Sequence, residues 1–550
     1  MYVDYCKVRN KNKTYYRALL RESYRENGKV KKRNIANLGA CSEEEVKAIR
    51  LALQHKGNLT TFDFINDNLK FLQGPSLGAV WLVNTIASRI GISEALGNSR
   101  QGKLALWQVI ARVIDQGSRL SAVRLANNHG ACDILDLEPF NEKHLYQNLD
   151  WLATNQHEIE KKLAYKLHGD KKVDLYLYDV TSSYLEGTKN QFAAFGYNRD
   201  KKRGKKQIVI GLLCDYNGVP ISIEVFPGNT QDTATFGSQV AKVAGSFGGG
   251  TVTFVGDRGM IKMPQIEELQ SFEQHQFHYI TAITKPRIEI LIKDGPVQLN
   301  LFDQELAEVQ EENGIRYVLR GNPFRADQIK QGREEKFQSL SEFVDSKNDY
   351  LKNHQRAKVS TAKREIINKI NEINIDEWVV LTEHDRSFNV SKNQTVLDET
   401  EKLDGCYVIK TDIEKDVATK ELIHDRYKDL SRVEWAFRTS KTTHLEMRPL
   451  YVRLQQRTRG HAFVIMMAYR IVKELSSLWE SVDATVEEGI KELDALCSSS
   501  VCIEGGKSFH RIPEPRMLSQ QLLALADVTL PPVFPGKNVN VATKKKLAES

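Results

Sequence analysis

Val173 marks a change of rhythm. Before it, apolar residues recur at three- and four-residue steps, in Leu104–Ile114 and again through Leu120–Asn127 and Glu142–Lys166, the spacing of amphipathic helices. After it, Val173, Leu175 and Leu177 alternate with Asp174, Tyr176 and Tyr178, and Asp179 closes the apolar side. Two more strand candidates, Gln207–Asp215 and Pro220–Phe226, flank an Asn217-Gly218 turn, so the first three strands read as an antiparallel meander. Helix Thr233–Val243, strand Thr251–Gly256, helix Met263–Phe272 and strand Phe277–Thr284 then alternate. A meander followed by alternating helices and strands predicts an α/β fold, a mixed sheet with helices packed on it.

Residues 286–404 break that pattern. They hold short strand candidates (Gln298–Phe302, Ile315–Leu319, Glu377–Thr382) around one long charged helical stretch, Ala326–Ile373. The sheet pattern resumes at Gly405–Thr411, a helix is expected from about Thr419 to Lys441, and residues 460–495 read as helical. At the other end, residues 1–60 read as β-rich, with a hairpin at Asn27-Gly28 and a Ser42-x-x-Glu45 helix start. A chain of 550 residues exceeds what one core can hold.

Charge says what kind of partner to expect. The net +7 is uneven: residues 1–41 hold eleven Lys/Arg, among them Lys31, Lys32 and Arg33, against Asp4, Glu22 and Glu26. That segment carries +8, leaving about −1 for the other 509 residues. A second basic run is Arg199-Asp200-Lys201-Lys202-Arg203-Gly204-Lys205-Lys206, and a third set is Arg438, Lys441, Arg448, Arg453, Arg457 and Arg459. Any one of these reads as a solvated surface; three together predict a polyanion. Seven scattered cysteines without a C-x-x-C pair argue against a zinc site or a disulfide framework and suit a reducing cytoplasm. The start lacks a signal-peptide apolar run, and the longest apolar stretch, Phe463–Val472, is short and contains Arg470, so no membrane partner is expected.

Three acids stand out by position. Asp179 and Asp257 each sit at a strand end, the latter within Gly256-Asp257-Arg258-Gly259, and Glu434 lies in a helix. They are 78 and 177 residues apart in sequence, a separation that a sheet and a packed helix can close. Each alone reads as a cap, turn residue or surface charge. Together they suit Mg²⁺, which takes a few hard carboxylate oxygens and keeps the rest of its shell for water and phosphate. Two such ions about 4 Å apart can activate an attacking oxygen and stabilise the leaving one. Tyr427, Glu434 and Lys441 are spaced seven apart, with Arg438 four beyond Glu434, which predicts one shared helix face.

That spacing resembles the Tyr-x2-Arg-x3-Glu-x6-Lys signature of bacterial insertion-sequence transposases of the insertion-sequence-four superfamily. The Arg place is Leu430, with Arg432 two residues later. The wording around the acids is similar to the same family: Leu177-Tyr178-Asp179-Val180-Thr181-Ser182, Phe254-Val255-Gly256-Asp257-Arg258-Gly259-Met260 and Arg432–Lys441. The opening Glu22–Lys29 and Ile35–Gly39 resemble the subgroup with a short basic start module.

The resemblance implies an RNase H-like sheet with Asp179 on its first strand, Asp257 at the end of its fourth and Glu434 on a late helix, all three catalytic and all three ligands of two Mg²⁺ ions, with Mn²⁺ as a substitute. The expected segments are a basic N-terminal DNA-binding module (1–70), a DNA-binding helical domain (71–168), the RNase H-like core in two parts (169–285 and 405–480), a β-rich insertion domain (286–404) and a C-terminal helical region with a tail (481–550). DNA contacts are expected from Tyr427, Arg432, Arg438, Lys441, Arg258, Lys201, Lys202, Arg203, Lys205, Lys206, Lys31, Lys32 and Arg33. Trp378 is the insertion's stacking candidate, although Glu377-Trp378-Val379-Val380-Leu381 reads more simply as core. The activity implied is metal-dependent cleavage of double-stranded DNA at the element ends and joining to target DNA. It would be performed in the bacterial cytoplasm at the nucleoid by a homodimer, without a small-molecule cofactor. Two rivals stay open: an RNase H-like nuclease without strand transfer, and a non-catalytic DNA-binding descendant.

Overall fold

The structure, a computed structural model, describes all residues except 11–12, 55–68, 172, 201, 248–250, 259, 272–275, 442–444, 448–449, 504–507 and 534–550. Lys201 and Arg448, both in the expected basic sets, lie outside the described residues, as does the Lys544-Lys545-Lys546 tail. The chain forms two compact units, one from Met1–Ser76 and Leu496–Pro515, the other from Leu77–Ala495 and Arg516–Leu530.

In the first unit, β1 (Tyr2–Asn10), β2 (Lys13–Glu26) and β3 (Lys29–Cys41) form an antiparallel sheet in that order. Asn27 and Gly28 both take positive φ, 48° and 77°, as a two-residue hairpin turn requires. The helix Glu43–Gln54 starts where expected: the Ser42 hydroxyl accepts from the Glu45 amide at 3.2 Å, and the Ser42 amide donates to Glu45 Oε2 at 2.6 Å. Val3, Tyr16, Ala18, Cys41 and Val46 make a small core at the base of the hairpin. A further strand, β4 (Leu69–Ser76), pairs with Cys497–Ile503, which pairs with Ser508–Arg511. Both the expected all-helical segment from residue 71 and the expected helical C-terminal region therefore contain strand. Periodicity could not show it, because the partners are more than four hundred residues apart.

The second unit is built on an eight-stranded sheet in the order β10 (Ala307–Gln310), β11 (Arg316–Gly321), β14 (Cys406–Thr411), β9 (Gln276–Ala282), β8 (Thr251–Gly256), β5 (Leu175–Tyr184), β6 (Gln207–Asp215), β7 (Pro220–Pro227). β5 (Leu175–Tyr184), β6 (Gln207–Asp215) and β7 (Pro220–Pro227) form the antiparallel meander. β8 (Thr251–Gly256) adds parallel to β5, and β9 (Gln276–Ala282) parallel to β8. Helices Thr233–Lys242 and Met263–Gln270 make the crossovers. These five strands are the mixed sheet of an RNase H-like fold.

Alternation along β5 sends its side chains to two different cores. Tyr176, Tyr178 and Val180 pack with Phe236, Val240, Ile266 and Leu269 of the crossover helices. Leu175 and Leu177 pack on the opposite face with Val433 and Phe437 of helix Leu430–Lys441 and Phe463, Ile465 and Ile471 of helix Gln455–Leu478. β5 continues past Asp179 to Tyr184 rather than ending there, because β6 pairs with it from Tyr176 to Tyr184. The apolar stretch Phe463–Val472 is buried throughout, as the centre of a core helix; no helix among the described residues is long and apolar enough to cross a membrane.

The expected insertion boundary at 286 falls in helix Lys285–Lys293, before the sheet has received its last strands. β10 (Ala307–Gln310) and β11 (Arg316–Gly321) join it through β14 (Cys406–Thr411), while Gln298–Phe302, expected as a strand, is instead occupied by a short 3₁₀ turn at Leu299–Asp303. The rest of the insertion is mainly helical rather than β-rich. It comprises helices Pro323–Asn353, Val359–Glu372 and Gln394–Glu401 and the hairpin β12–β13 (Val379–His384, Ser387–Lys392). It has its own core, in which Trp378 is buried beside Phe337.

Candidate active site

Asp179 is the fifth residue of β5 and so shares a face with Leu175 and Leu177, the face covered by helix Leu430–Lys441. Tyr178 pairs with Gly256 across the parallel β5–β8 ladder, so the residue following each, Asp179 and Asp257, emerges at neighbouring positions. Asp257 is exposed just past the end of β8; its Oδ1 accepts from the Arg258 amide at 2.7 Å and from the Tyr427 hydroxyl at 3.3 Å. Glu434 lies on the exposed side of its helix, whose other side buries Val433, Ala436 and Phe437.

Asp179 feels the other two acids. Burial pushes the Asp179 carboxyl up to about 7, the Val180 amide at 2.7 Å opposes this, and the charges of Asp257 and Glu434 push it further up. Arg199 pulls weakly the other way. The Tyr427 hydroxyl is raised by burial, then by Asp257 and Glu434. Among the described residues none of the three acids is in an ion pair within 4 Å. The three carboxylates are hard oxygen donors of the kind Mg²⁺ takes. Among the described residues no three His, Cys, Asp or Glu side chains are gathered closely enough to grip an ion. The fit is therefore one of donor chemistry and negative charge: Asp179 is held towards its neutral form first by burial and then by its acidic neighbours, and a dication would oppose that.

Helix Thr419–Lys441 is divided. Tyr427 is on Lys420–Lys428 and Glu434 on Leu430–Lys441, with Asp429 between them. The Asp429 carbonyl accepts from the Arg432 amide at 2.9 Å, a tight turn that the seven-residue spacing does not reveal. Nor do the signature residues all face one way. Lys441 is buried, its Nζ 3.1 Å from Asp200 Oδ1, and the other oxygen of Asp200 accepts from the Tyr184 amide at 3.1 Å. Leu430, at the signature's Arg place, is in the core. Arg432 is exposed and engaged, donating to the Tyr216 carbonyl of the β6–β7 turn and lying 3.1 Å from Asp429. A Cβ on Gly218 of that turn would come within 2.6 Å of Arg432 Cβ, so the glycine lets helix and turn close.

The basic positions are scattered in role. Arg258 and Arg438 are exposed beside the acids. Lys202, Arg203 and Lys205 are exposed in the loop between β5 and β6, where Lys205 pairs with Glu186 at 2.7 Å and Arg203 is 3.8 Å from Glu372. Lys206 is half-buried over the Phe195 ring. Lys31, Lys32 and Arg33 are exposed on β3 in the other unit. Asp200 and Arg199 were not singled out in the sequence, where they read only as the start of a basic run; the loop carries them back to β5, the Ser182 hydroxyl accepting from the Arg199 amide at 3.0 Å.

Comparison with known proteins supplies the family. Residues 171–471, more than half of the chain, match the family described as "Transposase DDE domain", and residues 5–61 match "IS1634 family transposase, N-terminal domain". No curated protein matches. A cryo-EM structure of a piggyBac transposase synaptic complex with hairpin DNA aligns over 71% of this chain and 69% of that one, at 9% identity and a TM-score of 0.35. On the family matches, the chain belongs to the insertion-sequence DDE transposases.

Proposed function

We propose that this transposase belongs to the insertion-sequence-four superfamily, binds the terminal inverted repeats of its element, cleaves the DNA by hydrolysis of phosphodiesters and joins the freed 3′ ends to target DNA. The observation that carries the reading is the emergence of Asp179 and Asp257 at neighbouring positions of two parallel strands, with the charges of Asp257 and Glu434 both acting on the buried Asp179 carboxyl. Asp179, Asp257 and Glu434 would hold two Mg²⁺ ions. Bound there, the ions would supply an activated oxygen nucleophile and neutralise charge on the leaving oxygen.

The chain's own residues do the positioning. Tyr427 orients Asp257 through its hydroxyl. Lys441 neutralises Asp200, which is tied to the backbone of β5, and so steadies the strand that carries Asp179. Arg258 and Arg438, with Lys202, Arg203 and Lys205, offer cations to the phosphates flanking the scissile bond. The residue 1–41 segment, at +8, supplies sequence-independent affinity for duplex DNA, and its deletion should weaken end binding and flatten the salt dependence. Two ends must be brought together, and a homodimer would do it.

A strand-transfer assay on labelled element ends tests the reading. Cleaved and joined products in Mg²⁺ are expected; cleavage without joining would leave a plain nuclease, and binding without cleavage a non-catalytic descendant.

A further inference from the structure

The hairpin of β2 and β3 outruns its sheet. β1 ends its pairing with β2 at Arg21, so from Glu22 to the Asn27-Gly28 turn and back to Arg33 the two strands have only each other. Residues 23–37 are exposed on both faces. An unsupported two-stranded ribbon buries no core and gains little stability from its own pairing, so its composition is free to serve a partner.

Cross-strand register sorts its side chains onto two faces. One face carries the pairs Glu22/Arg33, Tyr24/Lys31 and Glu26/Lys29. Two of its three cations are already answered: Arg33 is 2.6 Å from Glu22 and lies over the Tyr24 ring, and Lys31 pairs with Glu26. The other face carries Ser23/Lys32 and Arg25/Val30, with no acid among them. Below them Arg21 is paired with Asp4. Among the described residues no ion pair involves Arg25 or Lys32, and Val30 between them is 62% exposed.

We propose that this second face, Arg25, Val30 and Lys32, is the side of the ribbon that enters a groove of duplex DNA, while the Glu22/Arg33 face stays turned to solvent. The inference deepens the proposed function and rests on it. Charge complementarity commits the face to a polyanion, and dimensions commit it to a duplex. From Arg21 to Glu26 the arm spans about 17 Å at roughly 3.3 Å per residue, and the major groove, about 12 Å wide and 8.5 Å deep, admits a two-stranded ribbon. On that side Arg25 and Lys32 meet phosphates or a guanine edge, and Val30 offers an apolar surface to a thymine methyl. Lys31 and Arg33, equally basic in sequence, have their charge cancelled locally.

The test measures affinity of the full chain for a short random-sequence duplex over a range of salt concentrations. Arg25→Gln with Lys32→Gln should lower the slope of log affinity against log salt by about 1.8, two contacts at about 0.9 each. Lys31→Gln with Arg33→Gln should lower the slope by less than that, and Arg25→Lys with Lys32→Arg should keep it at the parent value. An unchanged slope in the first double variant, or equal losses from both faces, overturns the inference while leaving DNA binding by the parent chain intact. A parent chain that shows no salt-dependent binding at all would sink the proposed function and this inference together.

Discussion

β5 and the β2–β3 ribbon are both strands rich in functional side chains, yet they hold charge in opposite ways. β5 is paired on both edges and buried on both faces; the ribbon beyond Arg21 has one partner per strand and solvent on either side. A charge inside β5 is expensive, so the strand carries one acid, its titration displaced to about 7, held by a specific surround. A charge on the ribbon costs little, so the ribbon carries many, and their effect lies in number and in which face their neighbours leave uncancelled. Rigid burial serves chemistry at one point; exposure serves adhesion along a line.

The contrast can be broken most severely at the acids. Glu434→Gln or Asp179→Asn keeps shape but removes charge, and end cleavage in Mg²⁺ should fall at least about a hundred-fold, the scale of losing a preorganised charge-stabilising group. DNA binding measured in parallel should persist. Glu446, exposed and outside the signature, should tolerate Gln in the same assay. Full cleavage by Glu434→Gln would remove that residue from the site.

A smaller but still large effect is expected where the sheet's buried charge is broken. Lys441→Met removes the buried cation 3.1 Å from Asp200 and should cost up to about 3–5 kcal/mol in chemical denaturation. A loss no larger than that of a surface lysine would show that the other groups around Asp200 hold it without Lys441. Core truncation comes next: Leu177→Ala, fully buried, should cost about 2–5 kcal/mol. On the ribbon, Val30→Ala should stay within about 0.5 kcal/mol of neutral, because nothing packs on it in the free protein. A cost above that range would mean the ribbon is stabilised by something other than its own pairing.

Much of the architecture was legible residue by residue. The apolar runs located β5, β6, β7, β8 and β9 to within a few residues, and Trp378 is core, as the run Glu377-Trp378-Val379-Val380-Leu381 favoured. Two features were not legible. The helix expected from Thr419 to Lys441 breaks at Asp429, because a seven-residue spacing survives a one-residue turn. The single charged stretch Ala326–Ile373 is two helices, with residues 354–358 between them, since solvated charge does not distinguish a helix from its connecting turn.

What the sequence by itself determined is local: the faces of each strand, the Asn27-Gly28 turn, the Ser42 cap and the concentration of positive charge in the first 41 residues. Each depends on neighbours within one turn or one strand, where propensity and period act. Only the tertiary structure decided that Lys441 would be buried on Asp200, 241 residues away, that Leu69–Ser76 would pair with Cys497–Ile503, and that β10 and β11 would extend the sheet. The physical reason is that a period tells which side of an element needs covering but not what will cover it. That choice is made by chain closure and packing across hundreds of residues, where a buried lysine or a paired edge is stable only because a distant segment arrives to meet it.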